Sequence, residues 1–380
     1  MSEYQYYEFL AVDQPLDEQQ QLELRDLSSR ADISATRFVN EYHWSDFRGS
    51  PRVLMERYFD AFLYFANWGD RQLMVRLPAR LLDLETAQPY CVDDDLTSAW
   101  QHGDHVILSF TYRDESGEWE YTSDPKLGAM LAIREELAGG DYRALYLAWL
   151  ATIGLYLDWE DIDAEEVEPP VPAGLSKLTG SQRALVEFLR IDEYLLAVAA
   201  QASPPLGARP SDDGLAKFVK SMPQKEKDAL LVRAANGDGS GIADLRRRYR
   251  GLHATSPVAG SRTVGELLEA ASEREAERLQ EEVRRAEGLR ARREREAAVA
   301  REKRLDALAA DEEAAWKRVD ALIATKNQRE YDAAVSLLID LNALSARSGD
   351  EPKFAERYQQ LREDHRRKPS LMQRFDTAGL

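Results

Sequence analysis

Residues 263–325 have the sequence TVGELLEAASEREAERLQEEVRRAEGLRARREREAAVAREKRLDALAADEEAAWKRVDALIAT, and this charge-dense stretch decides the architecture of the chain. Thr263 and Glu266 stand three residues apart ahead of two leucines, which is the capping-box signature of a helix start. We expect one extended helical arm, about 90 Å long if it is unbroken. Gly288 is the expected weak point, because glycine inside a helix costs roughly 1 kcal/mol.

Whether the arm forms a coiled coil depends on its apolar spacing. Ala276, Leu279, Val283 and Ala286 alternate between spacings of three and four, but the next two positions in that register are arginines. Two heptads do not hold a stable dimer, and arginine at core positions disfavours one. The pattern therefore predicts a solvated single helix, or a helix lying on another body, with a dimeric coiled coil as the alternative.

Upstream of the arm, the periodicity is typical of an α+β domain. Apolar alternation and aromatic residues predict strands at Tyr4–Val12, Thr36–Trp44, Arg71–Leu77 and His105–Tyr112, the last continuing as a hairpin into residues 119–122. Helices are predicted at Asp17–Arg30 and Arg52–Trp68, the second buried because it is apolar on most faces. This order predicts a mixed sheet with packed helices that ends near residue 124.

The rest of the chain is predicted to be mostly helical. Helices at Leu127–Ala138, Tyr142–Leu157 and Ser181–Ala200 form one group, in which the proline-rich residues 169–174 act as a stiff spacer. Beyond the arm, short connections between helices predict a small bundle. The predicted segments are an α+β domain (1–124), a helical subdomain (125–202), a linker with a small helical segment (203–260), the arm (261–312) and a C-terminal helical bundle (313–380).

The charge distribution limits the partners. The net charge is −18, and residues 1–260 hold 26 basic against 43 acidic residues. That part of the chain should repel nucleic acid and anionic lipid. The N-terminus lacks the pattern of a signal peptide, no apolar run approaches 18 residues, and Cys91 is the only cysteine. We expect a cytoplasmic protein that does not enter a membrane.

A basic band within the arm is the candidate contact for phosphates. It consists of Arg284, Arg285, Arg290, Arg292, Arg293, Arg295, Arg301, Lys303 and Arg304. No aromatic residue interleaves with the band, so base stacking is not supported. The alternatives are an ordinary solvated helix face, or a surface that docks onto an acidic body such as the N-terminal half of this chain.

A second candidate site is a polar cluster beside aromatic residues. Its members are Asn40, Glu41, His43, Asp46, Arg48, Asn67, Trp68 and Arg71. A histidine with nearby carboxylates could carry out acid–base chemistry or line a ligand pocket. The alternative is a strand edge whose polar groups fix a loop. The chain has no phosphate-binding glycine loop, GxSxG or HExxH motif, so no catalytic residue is assigned.

Metal and cofactor signals are weak. His102 and His105 could join His43 and Cys91 only if the fold brought them together, and a surface pair without further ligands is commoner. The segment Asn236–Ile242 superficially resembles a calcium loop, but an EF-hand needs an apolar residue at position 8 and a glutamate at position 12. This segment has Ile242 at position 7 and Arg247 at position 12. We predict no metal and no cofactor.

The C-terminal third resembles the helical arm of some bacterial SWIM zinc-finger proteins. The residues that carry the resemblance are RTVGELLEAA from Arg262, ALIATKNQREYDAAVSLLIDLNALSARSG from Ala321 and LREDHRRKPSLMQRFDTAGL from Leu361. The zinc-binding cysteine and histidine pattern is absent, so metal and direct nucleic-acid functions do not carry over. The N-terminal half resembles bacterial proteins without an assigned activity. The resemblance implies a modular arm that different N-terminal domains share.

These observations favour a non-enzymatic interaction or adaptor protein. The body would bind one protein partner, and the arm with its terminal bundle would reach another partner or self-associate into a homo-oligomer. The first alternative is a nucleic-acid-associated protein that uses the basic band. The second is an enzyme with a site near His43.

Overall fold

The computed structural model describes residues 3–43, 46–92, 94–113, 125–155, 163–207, 212–235, 240–251 and 257–380. The chain divides into two compact units, residues 1–277 and residues 278–380. The five segments expected from the sequence are described below as parts of these two units.

The first unit contains a seven-stranded sheet, which confirms the α+β class. Its strands are β1 (Gln5–Leu10), β2 (Asp32–Ile33), β3 (Arg37–Tyr42), β4 (Ala61–Ala66), β5 (Arg71–Pro78), β6 (Thr97–His102) and β7 (His105–Tyr112). Their order is β2-β3-β1-β4-β5-β7-β6. Every pairing among the described strands is antiparallel, so the mixed sheet is corrected. The predicted hairpin at residues 119–122 lies outside the described residues.

The prediction of one helix over Arg52–Trp68 is wrong. A short helix at Pro51–Arg57 begins with Ser50, whose hydroxyl accepts a hydrogen bond from the Val53 amide, and strand β4 follows. Five of the six β4 residues are buried. A strand that is buried on both faces shows no alternation, so its apolar run cannot be distinguished from a buried helix by periodicity. Strand β6 was not predicted.

Helices pack on both faces of the sheet. The helices of the first unit that begin before residue 264 are α1 (Glu18–Leu27), α2 (Pro51–Arg57), α3 (Leu84–Ala87), α4 (Leu127–Met130), α5 (Ala132–Ala138), α6 (Arg143–Leu155), α7 (Gly180–Phe188), α8 (Glu193–Ala202), α9 (Asp212–Ser221), α10 (Gln224–Ala235) and α11 (Ser240–Gly251). Leu63, Leu73 and Leu108 face the larger core with α4 to α8. Phe9, Phe38 and Phe62 face the smaller core with residues of α1 and α2.

Two further expectations about this unit are corrected. The predicted helix Ser181–Ala200 is interrupted between α7 and α8, where Arg190 has a φ of 51°. The proline-rich residues 169–174 are not a free spacer, because Val171 is 2% exposed and pairs with Val258 as an isolated antiparallel bridge. Tertiary packing thus places part of the expected stiff spacer in the core.

The long helix α12 runs from Val264 to Ala310 without interruption. The helix ends before Asp311, close to the predicted end of the arm at residue 312, so the stretch from 263 to 325 is not one helix. The Asp311 side chain accepts a hydrogen bond from the Ala314 amide at 3.0 Å and begins a new helix, α13 (Glu312–Ala324). An aspartate that caps the next helix gives the chain a defined place to turn. Gly288 does not break α12.

The second unit has a core of its own. Helices α14 (Gln328–Ser348), α15 (Glu351–Asp364) and α16 (Pro369–Ala378) pack with α13. Trp316, Leu338, Leu371 and Phe375 are each at most 2% exposed. Gly349 ends α14 in the left-handed region with a φ of 75°, which favours glycine because it has no Cβ. This arrangement confirms the predicted C-terminal helical bundle.

Candidate functional site

A buried ion pair holds the start of α12 within the first unit. Arg262 donates from Nε to Glu168 Oε1 at 2.9 Å and from Nη2 to Glu168 Oε2 at 2.7 Å. Tyr146 donates its hydroxyl to the same carboxylate at 2.8 Å, and Arg262 also donates to the carbonyl oxygen of Val198. The Glu168 side chain is 1% exposed. Both charges are therefore compensated by hydrogen bonds, at a site where the carboxylate is shielded from water.

The environment of Glu168 favours its charged form. Burial by itself raises the pKa of this carboxyl, but the hydrogen bonds from Arg262 and Tyr146 and the positive charge of Arg262 lower it, so the pKa lies below its ordinary value. Gly260 lies against the same residue, and a Cβ at Gly260 would overlap the Glu168 carbonyl group. The connection into α12 is thus fixed by packing as well as by charge.

Beyond this anchor, α12 has a long exposed section. Residues 272–304 are all exposed, and the section contains the ion pairs Arg278–Glu282, Glu281–Arg285, Arg290–Glu294 and Arg292–Glu296. Each pair joins residues four apart on the solvated helix surface. Such pairs contribute a few tenths of a kcal/mol each and together support an isolated helix. Within this single chain the section is solvated, and whether it pairs with another helix stays a prediction.

The basic band lies within this exposed section but forms no single face. Arg284 and Arg293 are nine residues apart, about 2.5 turns, so they lie on opposite sides of the helix, and Arg295 and Arg304 have the same spacing. Arg285, Arg290 and Arg292 are in ion pairs with glutamates of the same helix. One side of a rigid helix thus presents only part of the band to a duplex.

The members of the predicted polar cluster around His43 lie in different surroundings. Asn40 is buried and donates from Nδ2 to the hydroxyls of Ser28 and Tyr42, both at 2.7 Å. Asp46 accepts a hydrogen bond from Gln5 Nε2 at 2.9 Å. The Asp46 contact ties the loop that follows β3 to strand β1. Whether this cluster binds a ligand stays a prediction.

The remaining members of the cluster lie nearby or on the surface. The His43 ring lies 5.3 Å from the Tyr4 ring, and Asn67 Oδ1 accepts from the Tyr4 amide. Glu41, Arg48 and Trp68 are exposed. Arg71 donates to the Phe188 carbonyl oxygen at 3.2 Å and also borders the cavity described next.

Aromatic packing fills the space beneath the loop after β3. The Phe47 ring lies 5.1 Å from the Tyr7 ring, 6.2 Å from the Phe9 ring and 5.9 Å from the Phe38 ring. This loop therefore closes the smaller core with an apolar side chain. The neighbouring Asp46 is held by its hydrogen bond from Gln5.

An open polar cavity of about 360 Å³ lies over β4 to β7, on the face of the sheet that carries the smaller core. Tyr64, Gln72 and Thr111 form one cross-strand row of its lining, because Tyr64 pairs with Gln72 and Gln72 pairs with Thr111. Charged residues border it as three arginines and three aspartates, namely Arg52, Asp70, Arg71, Asp94, Asp95 and Arg113. The balanced charges fit a polar, hydrogen-bonding ligand more than a strongly anionic one.

Hydrogen bonding in this cavity is incomplete within the described residues. Gln72 Nε2 donates to Ser109 Oγ at 2.9 Å. Thr111 Oγ1 is buried and has no hydrogen-bond partner in the described part of the chain. A buried hydroxyl without a partner costs free energy. The sequence signal for this cavity is the polar residue at alternate positions of otherwise apolar strands, such as Gln72 in β5 and Ser109 in β7.

The histidines considered above as possible metal ligands do not form a larger cluster of ligands within the described residues. His102 pairs with His105 across the turn between β6 and β7, and His102 Nδ1 lies 3.8 Å from Glu56 Oε2. Within the described ranges, no group of three or more His, Cys, Asp or Glu residues is placed to hold a metal ion. Residues 236–239 of the calcium-like segment lie outside the described residues.

Cys91 is a free, half-buried thiol. Burial, together with the negative charge of Asp94, raises its pKa to about 11. The thiolate is the nucleophilic form of cysteine, so this thiol is protonated and unreactive near neutral pH.

Comparisons with protein-family models, with curated proteins and with solved structures found no match. The resemblance to the SWIM-protein arm therefore stays a prediction. Among the helices that the structure describes, none combines the length and the apolar content needed to cross a bilayer.

Proposed function

We propose that this chain is a non-enzymatic adaptor, in which the first unit binds one protein partner and the exposed section of α12 with the C-terminal bundle binds another. The observation that carries the proposal is the run of 33 consecutive exposed residues, 272–304, within one continuous helix. A folded chain keeps such a helix ordered only at the cost of its conformational entropy. Binding of a partner along the helix would explain why this exposed surface is kept ordered.

The anchoring of α12 supports this role. Glu168 and Arg262 fix the helix start in the first unit, and Leu305 is 3% exposed within the second unit. A helix held at both ends presents its side chains in a fixed spacing, so a partner pays little ordering entropy on binding. The proposal includes a cytoplasmic location, which the single free cysteine fits.

The two alternatives have weaker support. The basic band surrounds the helix, so only part of it can reach one nucleic acid, and neighbouring glutamates neutralise several of its members. For the enzyme alternative, His43 is exposed beside Tyr4, and the adjoining loop is occupied by Phe47.

Partner capture with the full-length chain and with a chain ending at residue 277 tests the proposal. Residue 277 is the better end point than residue 260, because ending at 260 removes Arg262 and leaves Glu168 buried without its counter-charge. We expect the full-length chain to retain partners that the shorter chain loses, identified by mass spectrometry after crosslinking. Identical partner sets, with both chains folded by circular dichroism, would contradict the adaptor role.

The nucleic-acid alternative has a separate test. If the band binds nucleic acid, the full-length chain should bind a fluorescent duplex with an affinity that falls steeply with salt. Replacing Arg284, Arg293 and Arg295 by glutamine should then weaken binding, whereas the same replacement of Lys317 and Arg318, which are exposed in α13, should not. We expect no binding at low salt for any of these chains.

A further inference from the structure

The exposed section of α12 has two parts of opposite charge. Residues 272–283 contain five acidic and two basic residues, a net charge of −3. Residues 284–304 contain nine basic and four acidic residues, a net charge of +5. The exposed section therefore has a shorter acidic part followed by a longer basic part. We call these the acidic part and the basic part.

One side of the same helix carries an exposed apolar stripe. At alternating spacings of three and four, the stripe contains Ala276, Leu279, Val283, Ala286, Ala297 and Ala300. Leu279 is 62% exposed and Val283 is 50% exposed. Arg290 and Arg293 occupy the two stripe positions between Ala286 and Ala297. No residue of the described chain covers the stripe, because residues 272–304 are all exposed.

We propose that the occupant of this stripe is a second copy of the chain, paired antiparallel along α12. Parallel pairing would place acidic part against acidic part and basic part against basic part. Antiparallel pairing places each acidic part against residues 293–304 of the other copy, which have a net charge of +2, while the basic residues 284–292 face their own counterparts. The inference rests on the adaptor role proposed above and names one partner of its helix.

The stripe sets the register of this pairing. In an antiparallel pair of helices the core positions of one heptad face those of the other in reverse order. With Ala286 of one copy opposite Arg290 of the other, Val283 faces Arg293 and Leu279 faces Ala297. At the ends of the pair, Glu275 then flanks Lys303, and Glu273 flanks Arg301. These two contacts favour the antiparallel orientation, whereas Glu282 flanks Glu296 and Glu287 flanks Glu287 in the same register, which weakens the pair.

The arginines in the stripe fit this register better than a parallel one. Each lies opposite a small or β-branched residue, so its aliphatic stem covers that apolar surface while its charged end extends outward. In the antiparallel register these ends reach the level of Glu282 and Glu287 on the other copy. In a parallel pair, arginine would face arginine at both positions. The small apolar area predicts a weak dimer that salt dissociates.

Sedimentation velocity of the full-length chain tests the pairing. We expect a monomer–dimer equilibrium in dilute buffer whose Kd rises at least about tenfold at 0.5 M salt, where the screening length is only a few ångströms. The double substitution Arg301→Glu with Lys303→Glu should weaken the dimer at least tenfold. Adding Glu273→Arg and Glu275→Lys to the same chain should restore it, because both contacts then regain opposite charges.

Two controls keep the result specific. Lys317→Glu with Arg318→Glu makes the same charge change on exposed residues of α13 and should leave the dimer unchanged. For orientation, in a Cys91→Ser background, a mixture of Ala276→Cys and Ala300→Cys chains should form a disulfide between the two variants. Each variant alone should form none.

A chain that stays monomeric in dilute buffer at every accessible concentration would overturn the antiparallel dimer, as would Ala276→Cys chains that crosslink to one another, or a four-substitution chain that does not regain the dimer. A monomeric chain that still loses partners on truncation at residue 277 would leave the adaptor role standing. If the chain dimerises but truncation at residue 277 leaves its partner set unchanged, the antiparallel pairing stands and the adaptor role is contradicted.

Discussion

Glu168 and Arg262 are 94 residues apart in the chain, and their side chains form an ion pair with two hydrogen bonds at 2.9 and 2.7 Å. Glu168 is in the segment that precedes the prolines, and Arg262 is two residues before α12 begins. The Glu168 amide also donates to the Arg262 carbonyl oxygen at 2.9 Å. This pair therefore sets where the long helix leaves the first unit.

Removing the buried carboxylate should strongly destabilise the first unit. We expect Glu168→Ala to lower the free energy of unfolding by about 3–5 kcal/mol, because it leaves the Arg262 guanidinium without its counter-charge. Urea denaturation followed by tyrosine and tryptophan fluorescence measures this loss. The control is Arg37→Gln, which breaks the pair of Arg37, 44% exposed, with Glu8 and should cost about 1 kcal/mol or less. Equal losses for the two variants would contradict the structural role of Glu168.

The same carboxylate should make stability depend on pH. Its folded-state pKa is below the ordinary value, so on acidification the unfolded chain takes up the proton first. The stabilisation is therefore complete above the ordinary glutamate pKa of about 4.3 and is lost as pH falls through the folded-state pKa. We expect the difference in unfolding free energy between the natural chain and Glu168→Gln to shrink below about pH 4. Urea titrations at stepped pH values measure it, and a difference that stays constant would argue against this linkage.

The unpaired hydroxyl in the polar cavity gives a prediction of opposite sign. Thr111→Val removes the buried Oγ1 that has no partner in the described part of the chain, so we expect unchanged stability or a gain of up to about 1 kcal/mol. Ser109→Ala is the matched control, because it removes the acceptor of the Gln72 side chain and should cost about 1 kcal/mol. Thermal unfolding of both variants gives the comparison. A clear loss for Thr111→Val would mean that the hydroxyl makes a stabilising contact.

The C-terminal bundle should depend on its aromatic core. Phe375 is fully buried and its ring lies 5.4 Å from the Tyr358 ring, so Phe375→Ala should cost about 3–5 kcal/mol. Hydrogen exchange should show faster amide exchange in α13 to α16, with the sheet unaffected. Ile339→Ala changes a residue of α14 that is 42% exposed and should cost about 1 kcal/mol or less. If exchange in the sheet accelerated equally, the two units would not unfold independently.

The elements that the sequence predicted correctly are those that bury only one face. Strand β1 and helix α1 have clear periodicity, and α12 has a capping box and charge pairs that depend only on local spacing. Strand β4 was predicted as helix because burial on both faces removes its period. The polar cavity was missed because Gln72, Ser109 and Thr111 come from two strands that only pairing brings together.

The sequence by itself determined that a long charged helix begins at the Thr263 cap, since capping and pairs at i and i+4 are interactions within one helix. Only the tertiary structure decided what holds that helix at its start. Glu168 and Arg262 have no local signal, because an ion pair across 94 residues depends on the path of the whole intervening chain. The tertiary structure likewise decided that Val171 belongs to the core, since the proline-rich composition indicated only a stiff spacer and burial depends on packing with distant segments.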